Sequence, residues 1–295
     1  MESQDRATER GHRYCLMSEL RPHPAECPIG VFDSGVGGLS VLRHIRAQLP
    51  AEHLLYFADS GHAPYGDKTE QFVVDRALAV TAFLLDQGAK ALVVACNTAT
   101  VAAIKAVRAR YPELPVVGVE PGLKPAAAAT RNGKVGVLAT ARTLQGEKFL
   151  QLREQISAVS HAEFMLQAAV GLVDQIELGD LQAPAIQAML ERYVAPLLDG
   201  GADTLVLGCT HYPFVRSGIE QVLAAHDRQD VVLIDTGDAV ARQLVRLLAA
   251  GDLLRPPMPE ALASLHGFTT AEPATLGAAF RALLDLDPPV TRVEV

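Results

Sequence analysis

The 295-residue sequence contains no tryptophan, and its aromatic content is only 5%, which argues against stacking platforms for bases or sugars. It has no excess of positive charge: Lys and Arg total 26 against 34 Asp and Glu, for a formal net charge of −8. No basic stripe is left for a phosphate backbone or an anionic membrane surface, so neither nucleic acid nor membrane is an expected partner. The 4 cysteines, Cys15, Cys27, Cys96 and Cys209, are too few and too scattered for a disulfide framework. None is paired as CxxC for structural zinc. No run is long and apolar enough to span a bilayer, and residues 1–27 lack the apolar stretch of a signal peptide. Charged and punctuated by proline, residues 1–27 read as an N-terminal extension on a cytoplasmic protein with reduced thiols.

What the sequence does have is core material. Hydrophobic residues make up 49% of it, enough for roughly two domains of ordinary size. After Pro28, short runs rich in Val, Ile and Leu alternate with stretches of helical periodicity. The runs are Ile29–Phe32, His53–Ala58, Ala91–Ala95, Pro115–Val119, Lys134–Ala139, Thr204–Gly208 and Val231–Ile234. Most lack strict polar alternation, as strands buried on both faces do. Apolar residues recur at helical spacing over Glu70–Gln87, Thr100–Arg110, Leu144–Ser157 and Asp238–Ala249. This is the pattern of βα units around a parallel sheet.

A weak internal repeat runs through these strand ends. IGVFDSG at Ile29 resembles VGVLATA at Val135, VVACNTAT at Val93 resembles VLGCTHYP at Val206, and VVGVEPG at Val116 resembles VVLIDTG at Val231. The order is the same in both halves, and each half places a cysteine after a central strand. Ligands of open parallel sheets sit beyond the carboxyl ends of the strands. The expected fold is therefore α/β: two similar facing domains, each with a central, mostly parallel sheet flanked by helices, and an active site in the cleft between them. The first domain is placed at 28–121 and completed by 231–295, the second at 122–230.

Cys96 precedes an Ala-rich helical stretch with Asn97 or Thr98 available as its cap, and Cys209 is followed by Thr210, His211 and Pro213. A helix N-terminus beside a thiol lowers its pKa. A single thiol with a nearby base, such as Cys209 with His211, suits covalent catalysis. Two duplicated thiols suit a different chemistry, in which one removes a proton from a carbon and the other returns one to the opposite face. A metal reading is weaker, because Cys96, Cys209 and His211 have neither ligand spacing nor an obvious fourth donor. The loop Asp33–Ser40 lacks the last glycine of GxGxxG and the lysine of a P-loop, so it is a poor nucleotide site. Its glycines still permit close backbone approach to a carboxylate, and Asp33 is placed to pair with an ammonium or orient a proton-transfer group. His62, in the turn-rich loop Asp59–Lys68, reads as a solvated loop residue.

Six segments together, FDSGVGGLSVL at Phe32, YFADSGHAPYG at Tyr56, VVACNTAT, VGVEPGLKPA at Val117, GVLATARTL at Gly136 and LGCTHYPF at Leu207, resemble the glutamate racemase family. The resemblance implies an isomerase that interconverts L- and D-glutamate without pyridoxal phosphate, metal or nucleotide and supplies D-glutamate for peptidoglycan and cell-wall biogenesis. It implies Cys96 and Cys209 as the catalytic proton donor and acceptor, with Asp33 and His211 assisting the first and second thiol. Substrate contacts fall on Asp33, Ser34, Tyr65, Gly66, Asn97, Thr98, Thr210 and His211, with Thr140 and Thr143 as further candidates. Where many members carry a glutamate, Asp174 occupies what looks like its place. The extension resembles the longer N-termini of one family branch, which accompany activation by a peptidoglycan-precursor nucleotide. Tyr14, Leu16, Met17 and Leu20 give it a small apolar group. A homodimer is one assembly left open. The alternatives carried forward are an aspartate or hydantoin racemase, a catalytically silent amino-acid-binding protein, and a redox sensor that joins Cys96 to Cys209.

Overall fold

The computed structural model describes residues 23–257 and 263–295; Cys15 and the apolar group of the extension lie outside them. Two compact units emerge, one formed by the chain up to Val119 together with Val240–Val295, the other by Glu120–Ala239.

The first unit is built on β1 (Ile29–Asp33), β2 (Leu54–Ala58), β3 (Ala91–Val94), β4 (Val116–Gly118), β9 (Leu265–Thr269) and β10 (Val290–Arg292). They form a parallel sheet in the order β10-β9-β2-β1-β3-β4. Every residue of β1 and β3 is buried, which is why their sequences show no polar alternation. Phe32, Phe57, Val80, Leu84, Leu92 and Val107 belong to one apolar cluster of this unit. The helix Glu70–Asp86 starts where Thr69 accepts a hydrogen bond from the Phe72 amide at 3.2 Å, one of the orphan donors of a helix start.

The second unit is built on β5 (Lys134–Ala139), β6 (Glu163–Ala168), β7 (Thr204–Leu207) and β8 (Val232–Ile234), again parallel, in the order β6-β5-β7-β8. Its core gathers Leu123, Val135, Val137, Phe149, Phe164 and Val206. The order β2-β1-β3-β4 of the first sheet is repeated as β6-β5-β7-β8, so the three repeated segments correspond to β1/β5, β3/β7 and β4/β8. Close packing explains Gly136 in β5: a Cβ there would sit 2.5 Å from Leu205 Cδ2 and 3.0 Å from Leu197 Cδ1.

Three strands escape the periodicity reading, β6, β9 and β10. β6 and β9 are only partly buried and β10 follows two prolines, so none has the fully apolar run that marks the others. The stretch Leu144–Ser157 proves to be two helices, Ala141–Gln145 and Glu147–Ser160, broken at Gly146. One boundary is corrected. Chain order places residues 231–239 in the first domain, but β8 pairs with β7 (Thr204 beside Val232, Val206 beside Ile234) and the second unit continues to Ala239. The backbone hydrogen bonds of this edge strand are made with its sheet neighbour, and chain order carries no information about that. Among the described residues, no helix is long and apolar enough to cross a membrane.

Candidate active site

In the first unit, parallel register sets the site. Phe32 lies beside Val94 and Asp33 beside Ala58, so Asp33, the loop after Ala58 and Cys96 all leave the sheet at its carboxyl edge. The Ser34 hydroxyl is 3.4 Å from Cys96 Sγ and 3.4 Å from Asp33 Oδ1, bridging the thiol to a carboxylate that is 2% exposed. Asp33 Oδ1 also accepts the Gly35 amide at 2.7 Å, and the Tyr56 hydroxyl donates to the Gly35 carbonyl at 2.9 Å. The turn is thereby held from both sides. It requires glycine at 38, where a Cβ would sit 2.7 Å from Asp33 Cβ and 2.9 Å from Ala95 Cβ.

Cys96 is itself the cap of the helix Asn97–Arg110, its sulfur accepting from the Ala99 amide at 3.5 Å. This corrects the assignment of the cap to Asn97 or Thr98, which occupy the first turn and are half-buried. The expectation of a lowered thiol pKa is also overturned. Burial first, then the charge of Asp33, push the Cys96 thiol up to about 11, against the pull of hydrogen bonds from Ser34 and the Ala99 amide. The desolvation of a buried thiolate outweighs the helix terminus here.

Tyr65 packs in the same apolar cluster as Cys96 and Phe32, beside half-buried Gly66. Its hydroxyl donates to Asp59 Oδ2 at 2.5 Å, and burial together with the Asp59 charge keeps the phenol protonated. Asp59, fully buried, also accepts from Arg76 Nε and Nη2 at 2.9 Å each and from Thr270 Oγ1 at 2.9 Å, and pairs with His62 Nδ1 at 2.9 Å. Arg76 in turn donates to the Val295 carbonyl. Burial alone would raise the Asp59 pKa, but the bonds from Arg76, Tyr65 and His62 prevail and hold it below the usual carboxylate range. His62 thus has a partner that its loop setting does not announce. Nothing in the spacing of Asp59, Arg76 and Thr270 points to this cluster.

In the second unit, Leu138 lies beside Leu207, and Thr140 and Cys209 emerge at the carboxyl edge of β5 and β7. Cys209 is half-buried, Thr210 and His211 buried. Cys209 Sγ is 3.7 Å from His211 Nδ1, and His211 Nε2 is 3.0 Å from Glu177 Oε1. Sequence reasoning misses Glu177. Asp174, read as standing in the glutamate's place, is exposed; one helical turn later, Glu177 ends the helix Leu172–Glu177 and carries the carboxylate that reaches the imidazole. Residues three apart share a helix face, and of the two carboxylates it is Glu177 that lies within hydrogen-bond distance of His211. Cys209 does not repeat the capping geometry of Cys96, because a 3-10 turn, Tyr212–Val215, follows instead. Thr140 caps the helix Ala141–Gln145, accepting the Thr143 amide at 3.3 Å and standing 2.9 Å from the Thr143 hydroxyl. Among the described residues, no group of three or more His, Cys, Asp or Glu side chains is arranged to hold a metal ion.

Each unit thus sets a thiol beside groups able to take or give a proton, Cys96 near Ser34 and Asp33, Cys209 near His211 and Glu177. The Asp/Glu/hydantoin racemase family matches residues 29–244. The chain belongs to that family. It is 55% identical to the glutamate racemase of Pseudomonas aeruginosa over 77% of this chain and 83% of that one. Among solved structures, a glutamate racemase of Bacillus anthracis is similar with a TM-score of 0.80 and 30% identity, covering 92% of this chain and 98% of that one. Escherichia coli glutamate racemase, in complex with L-glutamate and the activator UDP-MurNAc-Ala, is similar with a TM-score of 0.77 and 32% identity, covering 90% and 97%. Within the racemase family the chain groups with the glutamate racemases, and glutamate racemisation, an isomerase reaction, is its activity.

Proposed function

We propose that Cys96 and Cys209 are the two bases of this racemisation, each serving one face of the glutamate α-carbon. One thiolate removes the α-proton, leaving a carbanion-like centre, and the opposite thiol donates a proton to the other face, inverting the configuration. The observation that carries the reading is that thiols following the equivalent strands β3 and β7 each have their own acid–base partners, Ser34 and Asp33 for one, His211 and Glu177 for the other. With its thiol pushed up to about 11, Cys96 rests protonated and is poised as a donor. Working in reverse requires a thiolate there, which at neutral pH costs about 5 kcal/mol at 1.36 kcal/mol per unit. A substrate ammonium beside Asp33 reduces that cost by cancelling the charge that raises the thiol.

Around this pair, Ser34, Tyr65, Gly66, Asn97, Thr98 and Thr210 are assigned to the substrate's carboxylates and ammonium, along with Asp33 and His211. No cofactor enters the scheme: pre-set hydrogen-bond donors and the ammonium stabilise the developing charge. The product feeds peptidoglycan synthesis. Proton NMR of glutamate in deuterium oxide with no added cofactor tests the mechanism in the wild type and in Cys96→Ala and Cys209→Ala. Both variants are expected to lose racemisation, and full racemisation by either sinks the two-base assignment. Parallel assays on aspartate and hydantoins, read by chiral chromatography, test the substrate class.

The activator held by the Escherichia coli enzyme supports a muramyl nucleotide as effector here. Added UDP-MurNAc-Ala is expected to raise kcat of the full-length chain; an unchanged rate contradicts this.

A further inference from the structure

At the amino ends of the first sheet, far along the strands from Cys96, lies a second cluster of charge. Glu52 precedes β2, Lys90 precedes β3, and Arg255 joins them; their side chains are 2%, 3% and 9% exposed. Lys90 Nζ donates to Glu52 Oε2 and to the Ala25 carbonyl, each at 2.6 Å. The Arg255 backbone amide donates to Glu52 Oε1 at 2.9 Å. Both Glu52 oxygens are therefore engaged, and the Arg255 guanidinium is left over, its Nε 4.0 Å from Oε2 and beyond hydrogen-bond reach.

Two atoms of that guanidinium, Nε and Nη2, are buried without a hydrogen-bond partner among the described residues. They lie along one edge of the planar group, the fork that meets two oxygens of a carboxylate or phosphate through parallel N–H bonds. The charge count points the same way. Among the described residues, Lys90 and Arg255 bring two positive charges against the single negative charge of Glu52, leaving an excess of one in a setting where unpaired charge is costly. A water molecule would satisfy a donor and leave that charge in place. The neighbouring His53 is affected: burial first and the Arg255 charge second lower its pKa, and its Nδ1 already accepts the Ser264 amide at 2.8 Å.

We propose that Arg255, supported by Lys90, forms a binding site for a small oxyanion, a phosphate or carboxylate taken bidentate on the Nε/Nη2 edge. The anion completes a charge cluster that ties the starts of β2 and β3 to residue 255 and to the Ala25 backbone. Its occupancy stabilises the first unit at the end of the sheet remote from the thiols.

The test uses the full-length chain, prepared in a buffer free of phosphate and carboxylates. Thermal melting is followed against inorganic phosphate and, separately, acetate, with sodium chloride matching ionic strength throughout. A saturable rise in Tm beyond the chloride control is expected for at least one of the two, and the arm that responds identifies the oxyanion. In Arg255→Gln the midpoint of that response is expected to move to higher concentration by at least about tenfold, the loss of a charge-assisted pair of bonds. Arg255→Lys, which keeps the charge but not the fork, is expected to fall between. In the wild type, NMR titration of His53, assigned with His53→Gln, gives a readout independent of any Arg255 variant's folding: its pKa rises when the anion offsets the Arg255 charge. No saturable response to either anion in the wild type, or an equal response in Arg255→Gln, overturns the proposal.

Discussion

Glu177 Oε1 and His211 Nε2 lie 3.0 Å apart, joining the end of one helix to a histidine 34 residues further on. A carboxylate only accepts, so it fixes Nε2 as the protonated nitrogen and leaves Nδ1 of the neutral ring, 3.7 Å from Cys209 Sγ, as the acceptor for the thiol proton. Glu177→Gln is expected to lower kcat on the order of tenfold, short of the 10²–10⁴ associated with losing an acid–base group outright. Asp174→Asn, one turn earlier on the same helix, is expected to leave kcat unchanged. Steady-state kinetics of the two variants in both directions check this, and equal effects would discredit the Glu177 assignment.

The Cys96 thiol offers a test of sign. Asp33 raises its pKa and the Ser34 hydroxyl lowers it. Asp33→Asn is therefore expected to bring the pH midpoint of Cys96 alkylation down, and Ser34→Ala to move it up, although both variants lose activity. Mass spectrometry of the Cys96 peptide after timed iodoacetamide labelling across pH reads the midpoint, separating it from the slow access set by burial. Shifts in the same direction for both variants would contradict the electrostatic account.

Asp59 links acid stability to the site. Its carboxyl is held below the ordinary range in the folded state, so its contribution is fully present above the unfolded value of about 3.9 and is lost as pH falls through the lower folded value. Asp59→Asn is expected to destabilise the chain by about 3–5 kcal/mol at neutral pH, the cost of breaking a buried charged pair. It is also expected to flatten this acid limb and to raise KM through the released Tyr65. Urea unfolding from pH 7 downward, alongside kinetics at neutral pH, measures both.

Gly38→Ala places a methyl group 2.7 Å from Asp33 Cβ. Overpacking of this kind costs about 1–3 kcal/mol, and the displaced carboxylate is expected to lower kcat more than it raises KM. Thermal melts and kinetics on the purified variant separate the two effects; wild-type values for both would show that the turn has room to give.

The sequence by itself determined the strands buried on both faces, because burial on both sides demands continuous Val, Ile and Leu, and it determined the two thiols, because each follows a repeated strand. The polar motifs at those strand ends, from Asp33-Ser34 to Thr210-His211, were legible for the same reason. Only the tertiary structure decided the rest. β8 joined the second sheet through backbone pairing with β7, which leaves no mark on composition, and β6, β9 and β10 are too short or too exposed to carry a periodic signal. Glu177 rather than Asp174 reached His211 because the turn of a helix chose between carboxylates three residues apart. The Cys96 thiol rose instead of falling because its pKa depends on burial and on Asp33, 63 residues earlier. Side-chain environments are set by register and packing across the sheet, and a local reading of one strand end contains neither.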